Sequence, residues 1–117
     1  QYAYVPYSHF SVGACIQSID GEYFSGCNIE NASYSLTLCA EAVALAKMIS
    51  AGQRGIHKIV ITSSGDTVCS PCGACRQRLH EFSTKLTTVY MFAKDQHFQA
   101  MLLNELLPLS FSNKNLS

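Results

Sequence analysis

The chain has 117 residues, 48% of them hydrophobic, and its 8 basic and 8 acidic side chains leave no formal net charge. This length suits one domain with an ordinary core, so we expect residues 1–117 to form a single domain. A protein that grips a nucleic-acid backbone usually shows a basic surplus, and the neutral balance therefore argues against a polynucleotide partner. No apolar run is long enough to span a membrane and no signal peptide is visible, so a cytoplasmic protein without a membrane partner is expected.

Six cysteines are many for a chain of this length. In a secreted domain an even number would suggest disulfides. The lack of a signal peptide and the metal-like spacing described below favour reduced thiols instead. The chain begins with Gln1, which leaves two interpretations open: a native N-terminal segment is missing, or the protein is naturally short.

The first part of the chain predicts a hairpin. Apolar residues alternate over Phe10–Ile19, which is typical of a strand with one buried face. Asp20–Gly21 is a tight-turn signal, and a second strand is expected over roughly Glu22–Asn28. A polar loop follows, in or after which Ser35 or Thr37 is expected to cap the next helix.

A helix is predicted from Leu38 to about Ala51, with Gly52 ending it. It is apolar almost all round, which is typical of a buried helix. Lys47 can extend its ammonium group to solvent. Glu41 lies in the first turn, and a carboxylate in a buried helix must be paired or functional.

The rest of the chain predicts two central strands around a second helix. His57–Ser64 contains a continuous apolar run and Val89–Phe92 another. The helix is expected from about Cys72 to Ser83. A last strand is expected at His97–Leu102, before a helical turn at Leu103–Leu107.

This order of elements predicts an α/β fold with a mixed five-stranded sheet, parallel strand–helix–strand units, and the two cysteine-bearing helices side by side. One stripe of the second helix is expected to face inward: Cys72, Cys75, Leu79 and Phe82. Its remaining polar side chains are expected to point elsewhere: Arg76, Arg78, His80 and Glu81.

The cysteines of the two helices predict a zinc site. Cys72 and Cys75 are three residues apart on one helix face, and Cys39 lies at the start of the other helix. The positive end of a helix favours thiolates over thiols. Three thiolates leave a fourth zinc position for water, which is typical of a catalytic site. Glu41 can then move protons to and from that water.

Other interpretations of these cysteines stay open. A Cys-x-x-Cys pair alone fits a redox pair, half of a structural zinc site or chance, but a structural site needs a fourth protein ligand and has no use for Glu41. Cys69 offers a further evenly spaced thiol, although it precedes the helix. Cys15 and Cys27 lie in predicted strands and are expected to be core residues. The histidines are expected to be surface or capping residues: His9, His57, His80 and His97.

Five segments together closely resemble cytidine deaminases of the short, homotetrameric, three-cysteine zinc form: Ala3–Phe10, Val12–Ala14, Gly26–Tyr34, Cys39–Glu41 and Pro71–Gln77. The resemblance implies a three-layer arrangement around the sheet, with the N-terminal helix apparently missing. It also implies one Zn²⁺ per subunit, bound by Cys39, Cys72 and Cys75, and a homotetramer with sites near the subunit interfaces.

The activity that this resemblance implies is zinc-dependent hydrolytic deamination of cytidine and 2′-deoxycytidine to uridine and 2′-deoxyuridine, with release of ammonia, in pyrimidine salvage. Glu41 would be the catalytic proton carrier. The positions matched to substrate contacts are Phe10 for the pyrimidine ring, Asn28 and Glu30 for the ribose 3′-hydroxyl, the backbone of Ala32 for the base, the Ser70 carbonyl for the leaving ammonia, and Tyr34 and, from a neighbouring subunit, Phe111 near the site.

One position departs from the family pattern. Short three-cysteine members usually carry Arg directly after the catalytic Glu, where it offsets the thiolate charge, but this chain has Ala42. The remaining counter-charge would come from the two helix ends and Arg76. A more electron-rich zinc site, with a less acidic water, is therefore expected.

Three other functions are less consistent with the sequence. Deamination of a cytosine-containing nucleoside antibiotic is disfavoured by Asn28 and Glu30, which suit a ribose. A polynucleotide editor is disfavoured by the neutral charge. An inactive zinc-stabilised binding module is disfavoured by the intact Glu41.

Overall fold

A five-stranded sheet forms the frame of the fold in this computed structural model, which describes residues 2–33, 36–65 and 73–106. The elements are β1 Val12–Ser18, β2 Tyr23–Cys27, α1 Ala40–Ser50, β3 Ile56–Ser63, α2 Gly73–His80, β4 Ser83–Phe92, β5 Phe98–Leu102 and α3 Leu103–Leu106. The strand order is β2-β1-β3-β4-β5, with β3 and β4 parallel and the other pairs antiparallel. The predicted mixed sheet is confirmed.

One face of the sheet carries the core. Alternate residues of the three central strands are buried and stand beside one another in the register: Ala14, Ile16, Ile59, Ile61, Val89 and Met91. The three helices add Ala44, Met48, Leu79 and Leu103 to the same cluster. Within the described ranges the helices thus share this face, and the third layer, on the opposite face, stays a prediction. None of these helices is long and apolar enough to cross a lipid bilayer.

The start of α1 differs from the prediction. Cys39, in extended backbone, precedes the first helical turn, and its side chain makes no capping hydrogen bond. The prediction that Thr37 caps the helix is wrong, because its hydroxyl accepts a hydrogen bond from the Asn31 backbone N–H at 3.2 Å. Ser35 lies outside the described residues. The end of the helix is confirmed, with Gly52 at φ +90°.

The connection from α2 to β4 also differs. α2 is shorter than predicted, because Ser83 already starts β4, and that strand begins six residues before the predicted Val89. An irregularity in the strand explains the error. The Thr87 hydroxyl donates to the Ile56 carbonyl at 2.7 Å and accepts from the Thr84 N–H at 2.8 Å. Side-chain bonds of this kind interrupt the regular ladder and hide the strand in the sequence pattern.

Candidate active site

Backbone pairing holds the start of α1 beside the polar loop that precedes it. Ile29 and Leu38 exchange two backbone hydrogen bonds, with N–O distances of 2.9 and 2.8 Å. Tyr4 pairs with Ile29 as well. These contacts bring the segment Asn28–Glu30 next to Cys39, so two motifs that are separate in the sequence meet at one place.

Gly26 allows α1 to lie directly on β2. A Cβ atom at this position would come within 2.6 Å of the Ala40 carbonyl oxygen and 2.7 Å of the Ala44 nitrogen. Both are backbone atoms of the helix, so neither can move without shifting α1. The absent side chain therefore sets the distance between the sheet and the helix that carries Glu41.

Glu41 is a buried acid in the first turn of α1, with 5% of its surface exposed. Burial raises the pKa of its carboxyl group, while a hydrogen bond from its own backbone and the positive charge of Arg78 act in the opposite direction. The carboxyl therefore holds a proton more readily than an exposed glutamate does. A raised pKa of this kind suits an acid that accepts and returns protons near neutral pH.

Two of the three predicted zinc ligands lie in the described part of the chain, on helices that contact each other. Cys39 is half-buried at the start of α1, and Cys75 is fully buried in α2. Both are thiols rather than disulfide partners. Cys72 lies outside the described ranges, and the described residues alone contain no cluster of three metal ligands. Soft sulfur donors on adjacent helices fit zinc.

Arg78 is the residue that the sequence reasoning missed. It was expected to point away from the inner face and is exposed, but its Nη1 also donates to the Cys75 Sγ at 3.7 Å, a contact that was not predicted. The signal was present, because residues three apart share a helix face. Arg76 instead donates to the Leu106 carbonyl at 2.9 Å, which ties α2 to α3.

Asn28 fixes the backbone around Phe10. Its Nδ2 donates to the Phe10 carbonyl at 3.0 Å, and its Oδ1 accepts from the Val12 N–H at 3.1 Å. The Phe10 ring is 38% exposed, and its Cε1 would lie 2.7 Å from a Cβ at Gly65. Phe10 therefore lies before β1 with its side chain partly exposed, rather than in the core that the alternating pattern indicated.

Glu30 is held by the loop that precedes β1. Its Oε1 accepts hydrogen bonds from the backbone N–H groups of Tyr7 and Ser8 at 3.0 and 3.1 Å, and the Ser8 hydroxyl donates to Oε2. The Ser8 hydroxyl is the main cause that lowers the pKa of this exposed carboxyl group. Tyr7, Ser8, Glu30 and Thr37 line a cavity of about 340 Å³. Glu30 is therefore ionised and oriented at neutral pH.

The other predicted contacts fall in loops. Ala32 is exposed in a bend where the Asn31 side chain accepts a hydrogen bond from the Ser33 N–H at 2.9 Å. Tyr34, Ser70 and Phe111, like Cys69, lie outside the described residues. Cys15 and Cys27 lie in β1 and β2, as predicted, but the expectation that they are core residues is wrong, because both are half-buried and neither belongs to the core cluster. A larger depression of about 610 Å³ across these strands includes none of Cys39, Glu41 or Cys75 in its lining, so the site does not lie there.

Comparisons with known proteins agree with this geometry. The family model of the cytidine and deoxycytidylate deaminase zinc-binding region matches residues 1–91. The cytidine deaminase of Sporosarcina psychrophila is 42% identical over 115 residues, which cover 98% of this chain and 85% of that protein. The probable cytidine deaminase of Dictyostelium discoideum is 41% identical over 117 residues, covering 99% and 78%.

Solved structures give the same result. The crystal structure of cytidine deaminase from Burkholderia pseudomallei superposes with a TM-score of 0.89 at 38% identity, covering 94% of this chain and 88% of that one. The enzyme from Mycobacterium tuberculosis superposes with a TM-score of 0.81 at 38% identity, covering 94% and 85%. The chain therefore belongs to the cytidine deaminase family of zinc-dependent hydrolases.

Proposed function

We propose that this chain, as one domain in the cytoplasm, hydrolyses cytidine and 2′-deoxycytidine to uridine and 2′-deoxyuridine and releases ammonia, in pyrimidine salvage. The observation that carries the proposal is Glu41: a buried acid with a raised pKa, two residues from Cys39 and under the charge of Arg78, which bonds to Cys75. The relatives named cytidine deaminase support the choice of substrate.

Cys39, Cys72 and Cys75 are the proposed ligands of one Zn²⁺ per subunit. When bound, zinc supplies a water that is acidic enough to lose a proton near neutral pH. Cys75 is fully buried, which keeps bulk water away from its donor atom, while Cys39 is half-buried.

Glu41 is the proposed proton carrier. Its carboxylate takes one proton from the attacking water as the water oxygen bonds to C4, and it delivers this proton to N3 of the pyrimidine. It then transfers the second proton of the water to the exocyclic amino group. The C4–N bond breaks, ammonia leaves, and a carbonyl remains at C4, so water and cytidine balance uridine and ammonia.

The loop before β1 is the proposed nucleoside grip. A carboxylate accepts about four hydrogen bonds, and Glu30 receives three from Tyr7 and Ser8, which leaves one site for the ribose 3′-hydroxyl. The second hydrogen of the Asn28 amide is a matching donor. The partly exposed ring of Phe10 is the proposed packing surface for the base.

The remaining contacts are proposed from the family match alone. They are the backbone of Ala32, Tyr34, the Ser70 carbonyl, and Phe111 from a neighbouring subunit. A homotetramer with sites near its interfaces belongs to the same proposal.

The test is ammonia release by the zinc-loaded wild type from cytidine, 2′-deoxycytidine and free cytosine, with zinc content measured on the same sample and chelator-treated protein as the control. We expect both nucleosides to turn over and free cytosine, which lacks the sugar, to react at least about 100-fold more slowly, because remote binding energy is lost with the ribose. A zinc-loaded protein that is inert towards every one of these substrates would contradict the proposal and favour an inactive binding module.

A further inference from the structure

The proposed zinc site has a charge that must be balanced. Zn²⁺ with three thiolates carries one net negative charge, and Glu41 adds a carboxylate two residues after Cys39. The family resemblance implies an arginine directly after Glu41, but this position is Ala42, half-buried in α1. Beyond the two helix ends, a balancing cation therefore has to come from another element of the fold.

The structure places one such cation on α2. Arg78 Nη1 lies 3.7 Å from the Sγ of the fully buried Cys75, within hydrogen-bonding range of a sulfur acceptor. The same guanidinium group exerts a favourable electrostatic effect on the ionised form of Glu41. It therefore acts on a proposed ligand and on the proposed proton carrier together.

The other nearby cations donate to backbone carbonyls or lie in the last turn of α1. Arg76 donates to the Leu106 carbonyl at 2.9 Å, and Arg54 donates to the Ile49 carbonyl at 3.0 Å at the far end of α1. Lys47 is exposed in the last turn of α1. Arg78, by contrast, donates a hydrogen bond to the sulfur of a proposed zinc ligand.

We propose that Arg78 is the positioning residue that offsets the thiolate charge, so that a guanidinium on α2 replaces the one that the family resemblance implies on α1. The inference rests on the proposed zinc ligands. A charge-assisted N–H donor stabilises a thiolate. Zinc binding to thiols at neutral pH releases protons and leaves the site more negative, so a neighbouring cation favours the bound state.

The expected effect is modest because Arg78 is exposed and its charge is screened by solvent. Loss of a partner that orients a metal ligand lowers metal affinity about 10–100-fold in general. We therefore expect Arg78→Leu to weaken zinc binding by the lower end of that range, about 10-fold, and Arg78→Lys, which keeps the charge but loses the planar fork, to fall in between.

The test is zinc affinity at neutral pH, measured by competition with a chromophoric chelator, for the wild type, Arg78→Leu and Arg78→Lys. Arg54→Leu is the matched control, since it removes the same side chain at a hydrogen bond that involves no sulfur. A second readout is the thiolate-to-cobalt charge-transfer band of the Co²⁺-loaded protein. Loss of a hydrogen bond destabilises the sulfur lone pair, so this band moves to longer wavelength in Arg78→Leu and stays in place in Arg54→Leu.

A relocated arginine tests the replacement itself. Ala42→Arg added to Arg78→Leu should recover most of the lost zinc affinity and return the cobalt band towards its wild-type position. Arg78→Leu with wild-type affinity and spectrum would overturn the role of Arg78, and a double variant no better than Arg78→Leu would overturn the replacement. A wild type that binds neither zinc nor cobalt through thiolates would instead refute the proposed ligands.

Discussion

Two glutamates, eleven positions apart, lie in opposite environments. Glu30 is only partly buried and receives hydrogen bonds from Ser8 and Tyr7, which lower the pKa of its carboxyl group. Glu41 is buried in a helix, and burial raises the pKa of its carboxyl group. Environments that shift the pKa values of two acids in opposite directions leave one acid charged at neutral pH and allow the other to exchange protons. We infer that the loop acid serves substrate binding and the helix acid serves proton transfer.

The largest expected effect is on the helix acid. Glu41→Gln keeps the size of the side chain and removes its ability to carry protons, so kcat for cytidine should fall about 10²–10⁴-fold. Zinc content should stay near that of the wild type, because Glu41 is not a proposed ligand. Steady-state ammonia release with zinc analysis measures both, and a variant that keeps more than a tenth of the wild-type kcat contradicts the assignment.

Glu41→Gln should also change how the free energy of unfolding depends on pH. The folded pKa of Glu41 is raised, so its favourable contribution to stability is present below the unfolded pKa and is lost as pH rises through the folded value. Zinc-free Glu41→Gln should therefore be more stable than zinc-free wild type at neutral pH, and the difference should disappear in acid. Urea unfolding at several pH values checks this, and an equal difference at all pH values would argue against burial as the cause.

The next effect concerns the packing that brings the two regions together. Gly26→Ala would force α1 away from β2, because the new Cβ meets helix backbone, and should destabilise the protein by about 1–3 kcal/mol. Gly55→Ala is the control, since its Cβ meets the tip of the exposed Ile19 side chain, which can rotate. Urea unfolding of both variants measures the contrast, and equal losses would remove the special role of Gly26.

On the loop side, Asn28→Ala removes two hydrogen bonds that fix the backbone around Phe10. It leaves the half-buried Val12 N–H without its acceptor, which should destabilise the fold by about 1–3 kcal/mol and raise KM more than it lowers kcat. Asn31→Ala, which removes an exposed turn bond to Ser33, should change stability by about 0.5 kcal/mol or less. A loss of kcat as large as that in Glu41→Gln would contradict the proposal that the loop serves binding and the helix serves proton transfer.

The smallest expected effect is a shift in the pH at which KM for cytidine begins to rise. The folded pKa of Glu30 is lowered, so the stabilisation it gives the loop is present above the unfolded pKa and is lost as pH falls through the folded value. Ser8→Ala removes the main cause, and KM for cytidine should then begin to rise at a higher pH on acidification than in the wild type. Ser64→Ala, whose hydroxyl accepts from the Ser11 N–H, is the control and should show no such shift.

Local signals in the sequence predicted much of the fold. Gly21 and Gly52 have the positive φ angles that a tight turn and a helix end require, at φ +92° and +90°, and both elements were placed correctly. The buried Glu41 was also predictable, because it is an acid in an apolar helix. These features depend on residues close together in the chain.

Contacts between distant residues were not predictable in this way. The start of β4 depends on the Thr87 hydroxyl reaching Ile56, and the position of the Asn28–Glu30 loop depends on pairing between Ile29 and Leu38. Arg78 was missed for another reason: a charged side chain on a helix is usually solvated, and only the structure shows it reaching back to Cys75. Composition and periodicity do not reveal which distant residues, such as Thr87 and Ile56, come into contact.

The central claim is that the two carboxylates divide binding from proton transfer, and the most direct measurement compares kcat and KM for cytidine in Glu41→Gln and Glu30→Gln under identical zinc loading. We expect a loss of kcat with little change in KM for Glu41→Gln, and a raised KM with most of kcat retained for Glu30→Gln. The reverse pattern, or the same pattern in both variants, would contradict it.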